Sequence, residues 1–339
     1  MPCSVQDRAY DAIHGWHVPA RSERTDLAAA DTLPGIVVRA FGLYFAVQLV
    51  DGRELLSTVA GTLKRQRRGT DIVAVGDRVR VVDVGEGEGR IVEVLPRARA
   101  LSRLARHTND VEQVILANPD QALFLFAARN PDPHPRLLDR FLVMAESREL
   151  PSLIGINKMD LDQPDEGGSI SAAHAMFDRY APFYPTFFLS ARSGQGLSDL
   201  RQALHGKVTA VAGPSGVGKS SLLNALDPTR ERLVGEISGA TGKGRHTTTA
   251  TVLHRVEGEE DTYLADTPGI RALSLQGIDL SDLDELFPEF APYLGACRYV
   301  DCAHLTEPGC AILQAVAASK IDRNRYESYA ALRRGDNAA

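Results

Sequence analysis

The sequence predicts an α/β domain with a largely parallel sheet, preceded by an all-β barrel and followed by a small helical domain. Three observations lead to this fold class. Short Val- and Ile-rich runs punctuated by glycine fill residues 34–105, and apolar strands alternate with helical patterns over 106–272. Helical patterns and three of the four cysteines fill 273–339. Residues 1–33 are polar and aperiodic, which predicts a flexible extension.

Composition narrows the class of protein. The chain has 339 residues, a net charge of −6 and 44% hydrophobic residues, which is typical of a globular protein. The sequence contains no apolar run of about 18 residues and no apolar core of a signal peptide near its start. We therefore expect a cytoplasmic, monomeric protein without a membrane partner.

The β-rich segment 34–105 suits a five-stranded OB-fold barrel. Residues 34–106 hold 13 Lys/Arg against 8 Asp/Glu. On an otherwise acidic chain this predicts a polyanion contact, although charge alone equally fits a solvated arginine-rich face. The densest basic run is Lys64, Arg65, Arg67 and Arg68. A second, weaker basic face is expected on the C-terminal helices, at Arg323, Arg325, Arg333 and Arg334.

A glycine-rich loop lies between an apolar strand pattern and a helix pattern. Residues 213–220, Gly-Pro-Ser-Gly-Val-Gly-Lys-Ser, match the phosphate-loop pattern G-x-x-x-x-G-K-[ST]. Backbone N–H groups and the helix N-terminus of such a loop surround phosphates. Lys219 is expected to reach the β- and γ-phosphates, and Ser220 to ligate Mg²⁺. The alternative is a glycine-rich turn that binds nothing. The predicted nucleotide contacts here are Gly213, Pro214, Ser215, Gly216, Val217, Gly218, Lys219, Ser220 and Ser221.

An Asn-Lys-Met-Asp motif ending at Asp160 follows another apolar strand, and the carboxyl ends of such strands form ligand sites. The Asp160 carboxylate can accept hydrogen bonds from guanine N1–H and its exocyclic amine, donors that adenine lacks there. Asn157 is expected to hold this loop and contact the base, with the stem of Lys158 over the ring. After the next strand come Ser190 and Ala191, and the backbone N–H of Ala191 is expected to donate to guanine O6.

The last predicted strand ends at Asp266, in Asp-Thr-Pro-Gly. Asp266 is expected to hold Mg²⁺ through water, and the N–H of Gly269 to meet the γ-phosphate. Taken alone, this motif is first interpreted as an N-cap or turn aspartate before Pro-Gly. Thr248, chosen among the threonines at 247–249, is expected to complete the Mg²⁺ shell.

Attack of water on the γ-phosphate needs a residue that orients the water, and the Asp-Thr-Pro-Gly motif at 266–269 does not supply one. Many GTPases place a glutamine after it, where this chain has Ile270. His246, beside Thr248, is the candidate catalytic residue together with Lys219. The alternative is an exposed loop histidine without a role.

The cysteine cluster has the spacing C-x4-C-x-H-x5-C. Three thiolates and one imidazole suit a closed tetrahedral Zn²⁺ site, and a closed site is structural because no coordination position stays open. Buried free cysteines beside an incidental histidine are the alternative. The predicted ligands are Cys297, Cys302, His304 and Cys310.

The order of these motifs is rotated. In an ordinary small GTPase the phosphate loop comes first, but here residues 157–160 precede 213–220, which indicates a circularly permuted P-loop GTPase domain. With a β-domain before it and a Cys/His cluster after it, the chain resembles the RsgA (YjeQ) family of bacterial GTPases that depend on the small ribosomal subunit. The resemblance covers about residues 34–335 and includes Gly-Arg-His-Thr-Thr at 244–248 and Phe-Pro-Glu-Phe at 287–290.

The resemblance implies GTP and GDP as ligands, with Mg²⁺ and one structural Zn²⁺ on the cysteine cluster, and it points to His246 as catalytic. It also implies that the protein binds the small (30S) subunit through 16S rRNA, acts in late maturation, and hydrolyses GTP when stimulated by the subunit. From the residues alone, two other functions stay open. These are an RNA-binding module that senses GTP without turnover, and a signalling GTPase with a protein partner.

Overall fold

The computed structural model describes residues 32–63, 71–104, 112–162, 171–227, 251–256, 258–259, 261–266 and 280–335. Most of the predicted extension 1–33 therefore lies outside the described residues. The same holds for seven residues singled out from the sequence: Lys64, Arg65, Arg67, Arg68, His246, Thr248 and Gly269.

Five strands close a barrel in the order β1-β2-β3-β5-β4, which confirms the predicted β-domain. The strands are β1 (Thr32–Phe41), β2 (Tyr44–Leu49), β3 (Glu54–Val59), β4 (Arg78–Gly85) and β5 (Glu88–Val94). Alternating side chains point inward, as pleated strands require, and Val37, Val81 and Ile91 are fully buried there. Strand β3, Glu-Leu-Leu-Ser-Thr-Val, contains one Val and no Ile, so it is not one of the Val- and Ile-rich runs from which the barrel was predicted.

A two-stranded sheet follows the barrel. Its strands β6 (Ala100–Leu104) and β7 (Glu112–Ala117) pair antiparallel, so the predicted domain boundary at residue 105 falls between two paired strands. The hairpin lies close against the barrel at Gly76, which has φ +89°, and a Cβ there would come within 2.1 Å of the Ala117 carbonyl oxygen. Only glycine fits this contact.

The central sheet has six strands in the order β10-β9-β8-β11-β13-β12. Its strands are β8 (Gln121–Ala127), β9 (Ser152–Asn157), β10 (Thr186–Phe188), β11 (Val208–Ala212), β12 (Val252–Arg255) and β13 (Tyr263–Asp266). All pairings are parallel except that of β12 with β13. Most of these strands coincide with apolar runs in the sequence, whereas the edge strand β12 ends in the polar residues His254 and Arg255.

Helices cover both faces of the central sheet. They are α1 (Pro135–Glu146), α2 (Ala172–Phe177), α3 (Leu197–Leu204) and α4 (Lys219–Leu226). Strand β8 shows the division, since Phe124 packs with α1 on one face and Leu123 packs with α3 and α4 on the other. Because β8 is buried on both faces, its sequence is a continuous apolar run rather than an alternating one.

The C-terminal region is helical, as predicted, and contains α5 (Ala311–Ala317) and α6 (Arg323–Arg333). Short 3-10 helices occupy Leu280–Leu286 and Pro288–Tyr293, and two more occupy Met159–Leu161 and Asp178–Tyr180. The core of this region includes Phe287, Phe290 and Tyr329, whose rings pack at centroid distances of 5.0 to 5.4 Å. Val143 of α1 belongs to the same cluster, so the region is docked on α1.

One prediction about this region is wrong. Arg325 was expected on an exposed basic face, but its side chain is only 3% exposed. It is held by buried carboxylates, described below. In the part of the chain that the structure describes, no helix is both long and apolar enough to cross a bilayer.

Candidate nucleotide site and cysteine cluster

The carboxyl edge of the central sheet brings distant motifs together. Strand β9 ends at Asn157, β10 leads into Ser190, β11 leads into Gly213, and β13 ends at Asp266. Strands β11 and β13 are neighbours, with Val211 opposite Asp266. Because these strands are parallel, every one of these residues lies at the same edge.

Two glycines of the phosphate loop have no substitute. A Cβ on Gly213 would come within 2.0 Å of the Leu125 carbonyl oxygen, so the loop leaves β11 against the backbone of β8. Gly218 has φ +95°, and a Cβ there would come within 2.4 Å of Asn157 Nδ2. Helix α4 starts at the next residue, Lys219. The helix N-terminus therefore points into the loop, as anion binding requires.

A single buried amide joins the two nucleotide motifs. Asn157 is 2% exposed, and its Nδ2 donates to the Val217 carbonyl oxygen over 2.9 Å. Its Oδ1 accepts a hydrogen bond from the Ala191 backbone N–H over 3.0 Å. The N–H that was expected to meet guanine O6 is thus directed to Asn157 in this structure. Asn157 therefore fixes the phosphate loop and the Ser-Ala loop relative to each other.

The carboxylate of Asp160 is held from one side. Its Oδ1 accepts a hydrogen bond from the Ser190 hydroxyl over 2.7 Å, and Ser190 is fully buried. The Ser190 oxygen in turn accepts from the Ser193 N–H over 3.2 Å. Arg192 Nη1 lies 3.9 Å from the second oxygen of Asp160. Sequence reasoning placed Ser190 at the site but did not assign it this positioning contact.

Two lysines hold carbonyl oxygens of the phosphate loop. Lys219 Nζ donates to the Gly213 and Pro214 carbonyl oxygens over 2.9 and 2.7 Å. Lys158 has φ +64°, and its Nζ donates to the carbonyl oxygen of Gly216 over 2.7 Å and to that of Asn130. Both ammonium groups therefore lie at this loop, where their charge favours a bound anion.

The predicted Mg²⁺ ligands are only partly described. Ser220 is exposed in the first turn of α4, and Asp266 is half-buried at the end of the neighbouring strand β13. A hydroxyl and a carboxylate suit the preference of Mg²⁺ for oxygen ligands. Thr248, the third predicted ligand, lies outside the described residues, as do Gly269 and the predicted catalytic His246.

The four predicted zinc ligands lie together, with all ligand atoms within 4.8 Å of one another. His304 Nδ1 is 3.5 Å from Cys297 Sγ and 3.3 Å from Cys310 Sγ, and the two sulfurs are 3.8 Å apart. A tetrahedral ion with bonds of about 2.3 Å to sulfur needs ligand separations of about 3.8 Å. The donor set, which Cys302 completes, therefore fits zinc in both chemistry and spacing.

Two carboxylates that the sequence analysis missed support this cluster. Asp284 Oδ2 lies 3.3 Å from His304 Nε2, so Nδ1 is left to face the thiols. Glu307 accepts backbone hydrogen bonds from Ala303, Leu305 and Thr306 over 2.8 to 2.9 Å. Burial raises the pKa of Glu307, but these N–H donors outweigh it and lower the pKa to about 2. Glu307 is therefore ionised and stabilises the loop 303–306 by accepting hydrogen bonds from its backbone.

Comparisons with known proteins agree with this arrangement. A family model described as RsgA GTPase matches residues 94–276. The small ribosomal subunit biogenesis GTPase RsgA of Gemmatimonas aurantiaca is 42% identical, over 88% of this chain and 96% of that protein. The protein of the same name in Chlorobaculum tepidum is 39% identical, over 89% of this chain and 97% of the relative.

Solved structures are similar over nearly the whole chain. YjeQ from Thermotoga maritima superposes with a TM-score of 0.72 and 31% identity, covering 90% of this chain and 98% of its own. YloQ, described as a circularly permuted GTPase, has a TM-score of 0.68 and 26% identity, covering 94% and 99%. The permuted order inferred from the motifs is thus shared with proteins of known structure.

Proposed function

The chain belongs to the RsgA GTPase family, and from this we propose that it binds the small (30S) ribosomal subunit and acts in its late maturation. The subunit stimulates its GTP hydrolysis. Three relatives at 38 to 42% identity carry the name small ribosomal subunit biogenesis GTPase. Contact with the subunit runs through 16S rRNA, and the protein acts in the cytoplasm as a monomer.

The observation that carries the nucleotide assignment is the double hydrogen bond of Asn157. Its amide connects the phosphate loop at Val217 with the Ser-Ala loop at Ala191. A nucleotide that spans both loops would place its phosphates at residues 213–220 and its purine beside residues 157–160 and 190–191. The nearby Asp160 carboxylate selects guanine, since it accepts from N1–H and the exocyclic amine.

Each motif residue has a proposed role toward GTP. Lys219 leaves its loop carbonyls and binds the β- and γ-phosphates, and Gly269 donates its N–H to the γ-phosphate. Ser220, Asp266 and Thr248 would hold Mg²⁺, which neutralises phosphate charge when bound. The backbone N–H groups of the phosphate loop bind the remaining phosphate oxygens. These groups orient GTP for in-line attack by water.

His246 is proposed to orient the attacking water, because Ile270 has no polar atom for this task. Replacing it should leave nucleotide affinity unchanged and lower subunit-stimulated turnover by about 10²-fold or more. The measurement is GTP turnover of His246→Ala with saturating subunits, alongside its affinity for GDP. Stimulated turnover equal to that of the parent protein would exclude His246 from the mechanism.

Zinc is proposed on the four clustered residues, Cys297, Cys302, His304 and Cys310. A closed Cys₃His site would stabilise the fold of 280–335, and it leaves no coordination position for a substrate.

This region and the barrel lie on either side of the nucleotide domain in the sequence. The basic barrel is the proposed rRNA contact.

A turnover assay tests the proposal. GTP hydrolysis is measured with and without small ribosomal subunits, and again with ATP as the competing nucleotide. We expect slow hydrolysis alone, strong stimulation by small subunits, and no competition by ATP at equal concentration. Lack of stimulation by small subunits would contradict the ribosomal role, whereas equal binding of ATP would contradict the guanine assignment.

A further inference from the structure

A buried ionic network joins the C-terminal region to the nucleotide domain. Arg325 of α6 donates from Nη1 to Asp139 of α1 over 2.5 Å. Its Nε and Nη2 donate to the two carboxylate oxygens of Glu289 over 2.6 and 3.1 Å. The side chains of Arg325, Asp139 and Glu289 are each 4% exposed or less.

The network includes a further hydrogen bond, from Tyr180, and the guanidinium of Arg325 lies beside two aromatic rings. The Tyr180 hydroxyl donates to Asp139 over 2.8 Å and thereby offsets part of the surplus negative charge. The Arg325 guanidinium lies 4.7 Å from the Phe287 ring centroid and 5.3 Å from that of Tyr180. A bidentate arginine in such a setting fixes relative orientation, because planar paired hydrogen bonds tolerate little rotation.

Neighbouring contacts hold the same interface between the C-terminal region and the nucleotide domain, which we call the joint. Arg179 Nη1 lies 2.9 Å from Asp322 Oδ1, and Asp322 caps the N-terminus of α6. Val143 of α1 packs into the core of the C-terminal region. The two halves of the joint are 186 residues apart in sequence at Asp139 and Arg325.

Helix α1 connects this joint to the nucleotide site. The chain leaves β8 at Ala127, passes under the phosphate loop, and starts α1 at Pro135. In this passage the Asn130 carbonyl oxygen accepts from Lys158 Nζ. Pro131 Cδ would lie 3.6 Å from a Cβ on Gly216. The position of α1 therefore constrains the segment that supports both nucleotide motifs.

We propose that Arg325 is a positioning residue for GTP binding, acting through Asp139 and α1 on the segment 128–134. The docked C-terminal region then contributes to nucleotide affinity without contacting the nucleotide. Coupling of this kind is reciprocal, so bound nucleotide also stabilises the docked position of the C-terminal region. The inference rests on the proposed nucleotide site and goes beyond it by adding a remote determinant of affinity.

The test uses the full-length, zinc-loaded protein without ribosomes. Arg325→Lys keeps the charge and removes the bidentate fork, and Arg136→Lys makes the same change at an exposed arginine on α1. Thermal melting curves first establish a temperature at which every variant is folded. Affinity for a fluorescent GDP analogue is then measured at that temperature. Hydrogen exchange of 128–146 is followed in the same samples.

We expect Arg325→Lys to weaken nucleotide binding by about 5-fold or more and to accelerate exchange in 128–146. Arg136→Lys should stay within 2-fold of the parent protein, by the usual size of surface effects. If Arg325→Lys does not fold, Tyr180→Phe replaces it, because this change removes only the hydrogen bond to Asp139. Affinity equal to that of the parent protein in the folded variant overturns the inference. A parent protein that binds no guanine nucleotide instead overturns the proposed function.

Discussion

The nucleotide site and the cysteine cluster are both built from motif residues, yet their polar atoms are held in different ways. In the nucleotide site the side chains already bond to loop backbone, as Asn157 does at Val217 and Ala191. In the cysteine cluster the ligand atoms mainly face one another, and burial raises the pKa of Cys310 to about 12.

This difference separates two kinds of site. The nucleotide site is held by strand ends, by glycines and by hydrogen bonds within the protein. The cysteine thiols would have to lose protons to bind a cation, and a metal bound there would contribute to the stability of that region. Four substitutions distinguish the two sites, and Lys219→Ala has the largest expected effect.

Lys219→Ala should abolish catalysis without unfolding the protein. Removing one charge that stabilises the transition state costs about 10³-fold in turnover. The measurement is single-turnover GTP hydrolysis with subunits present. Thermal melting is the control for folding, and the melting temperature should stay unchanged because the substitution leaves the cysteine cluster intact. Turnover within 10-fold of the parent protein would show that Lys219 does not bind the reacting phosphate.

Asp160→Asn should weaken the preference for GTP over ATP by about 10²-fold. Two hydrogen bonds to a charged acceptor contribute about 1.5 to 3 kcal/mol each, and an amide can accept only from one of the two donors without a clash. Competition between ATP and labelled GTP measures this preference. Asp199→Asn, at an exposed position of α3, is the matched control. An unchanged preference in Asp160→Asn would assign base recognition elsewhere.

Asp284→Asn should lower zinc affinity by about 10-fold to 100-fold, because Asp284 orients His304 from outside the ligand set. The measurement is competition with a coloured chelator. Asp282→Asn, which changes an exposed carboxylate two residues away, should have no effect. Equal loss of zinc affinity in both variants would point to net charge rather than orientation.

Ser190→Ala should have the smallest effect, weakening GTP binding by about 5-fold. It removes a hydrogen bond that positions Asp160 but leaves the carboxylate able to accept from guanine, so only part of that bond's free energy, about 1 kcal/mol, is lost from binding. Equilibrium titration with a fluorescent GTP analogue measures the change, and Ser198→Ala at an exposed position is the control. Tighter binding in Ser190→Ala would mean that Ser190 competes with guanine for the carboxylate.

Much of the fold followed from local patterns. Continuous apolar runs located β8, β9 and β11, because strands buried on both faces do not alternate polar and apolar residues. The outer strands β10 and β12 are only partly buried, and β12 includes two polar residues. The barrel was predicted from its turns and β-branched residues, although β3 (Glu54–Val59) was not recognised. The hairpin of β6 and β7 was also missed, since its pairing crosses the point where the composition changes.

The candidate sites show the same division between features that local sequence patterns predict and contacts that only the folded structure reveals. Glycine spacing predicted Lys219, and an Asn-Lys-x-Asp motif at a strand end predicted Asp160, since both motifs are local. The contacts of Ser190, Asp284 and Glu307 left no local signature, because each side chain belongs to a common residue type in an ordinary turn or helix.

Arg325 shows most clearly what the sequence determined and what it left to the tertiary structure. Sequence alone determined that helix α6 exists, where the nucleotide and metal motifs lie, and that their order is permuted, because these features depend on residue spacing within short segments. Only the tertiary structure decided that Arg325 is buried against Asp139 rather than exposed among other arginines. An ion pair formed across 186 residues depends on how domains pack, and no local pattern encodes that packing.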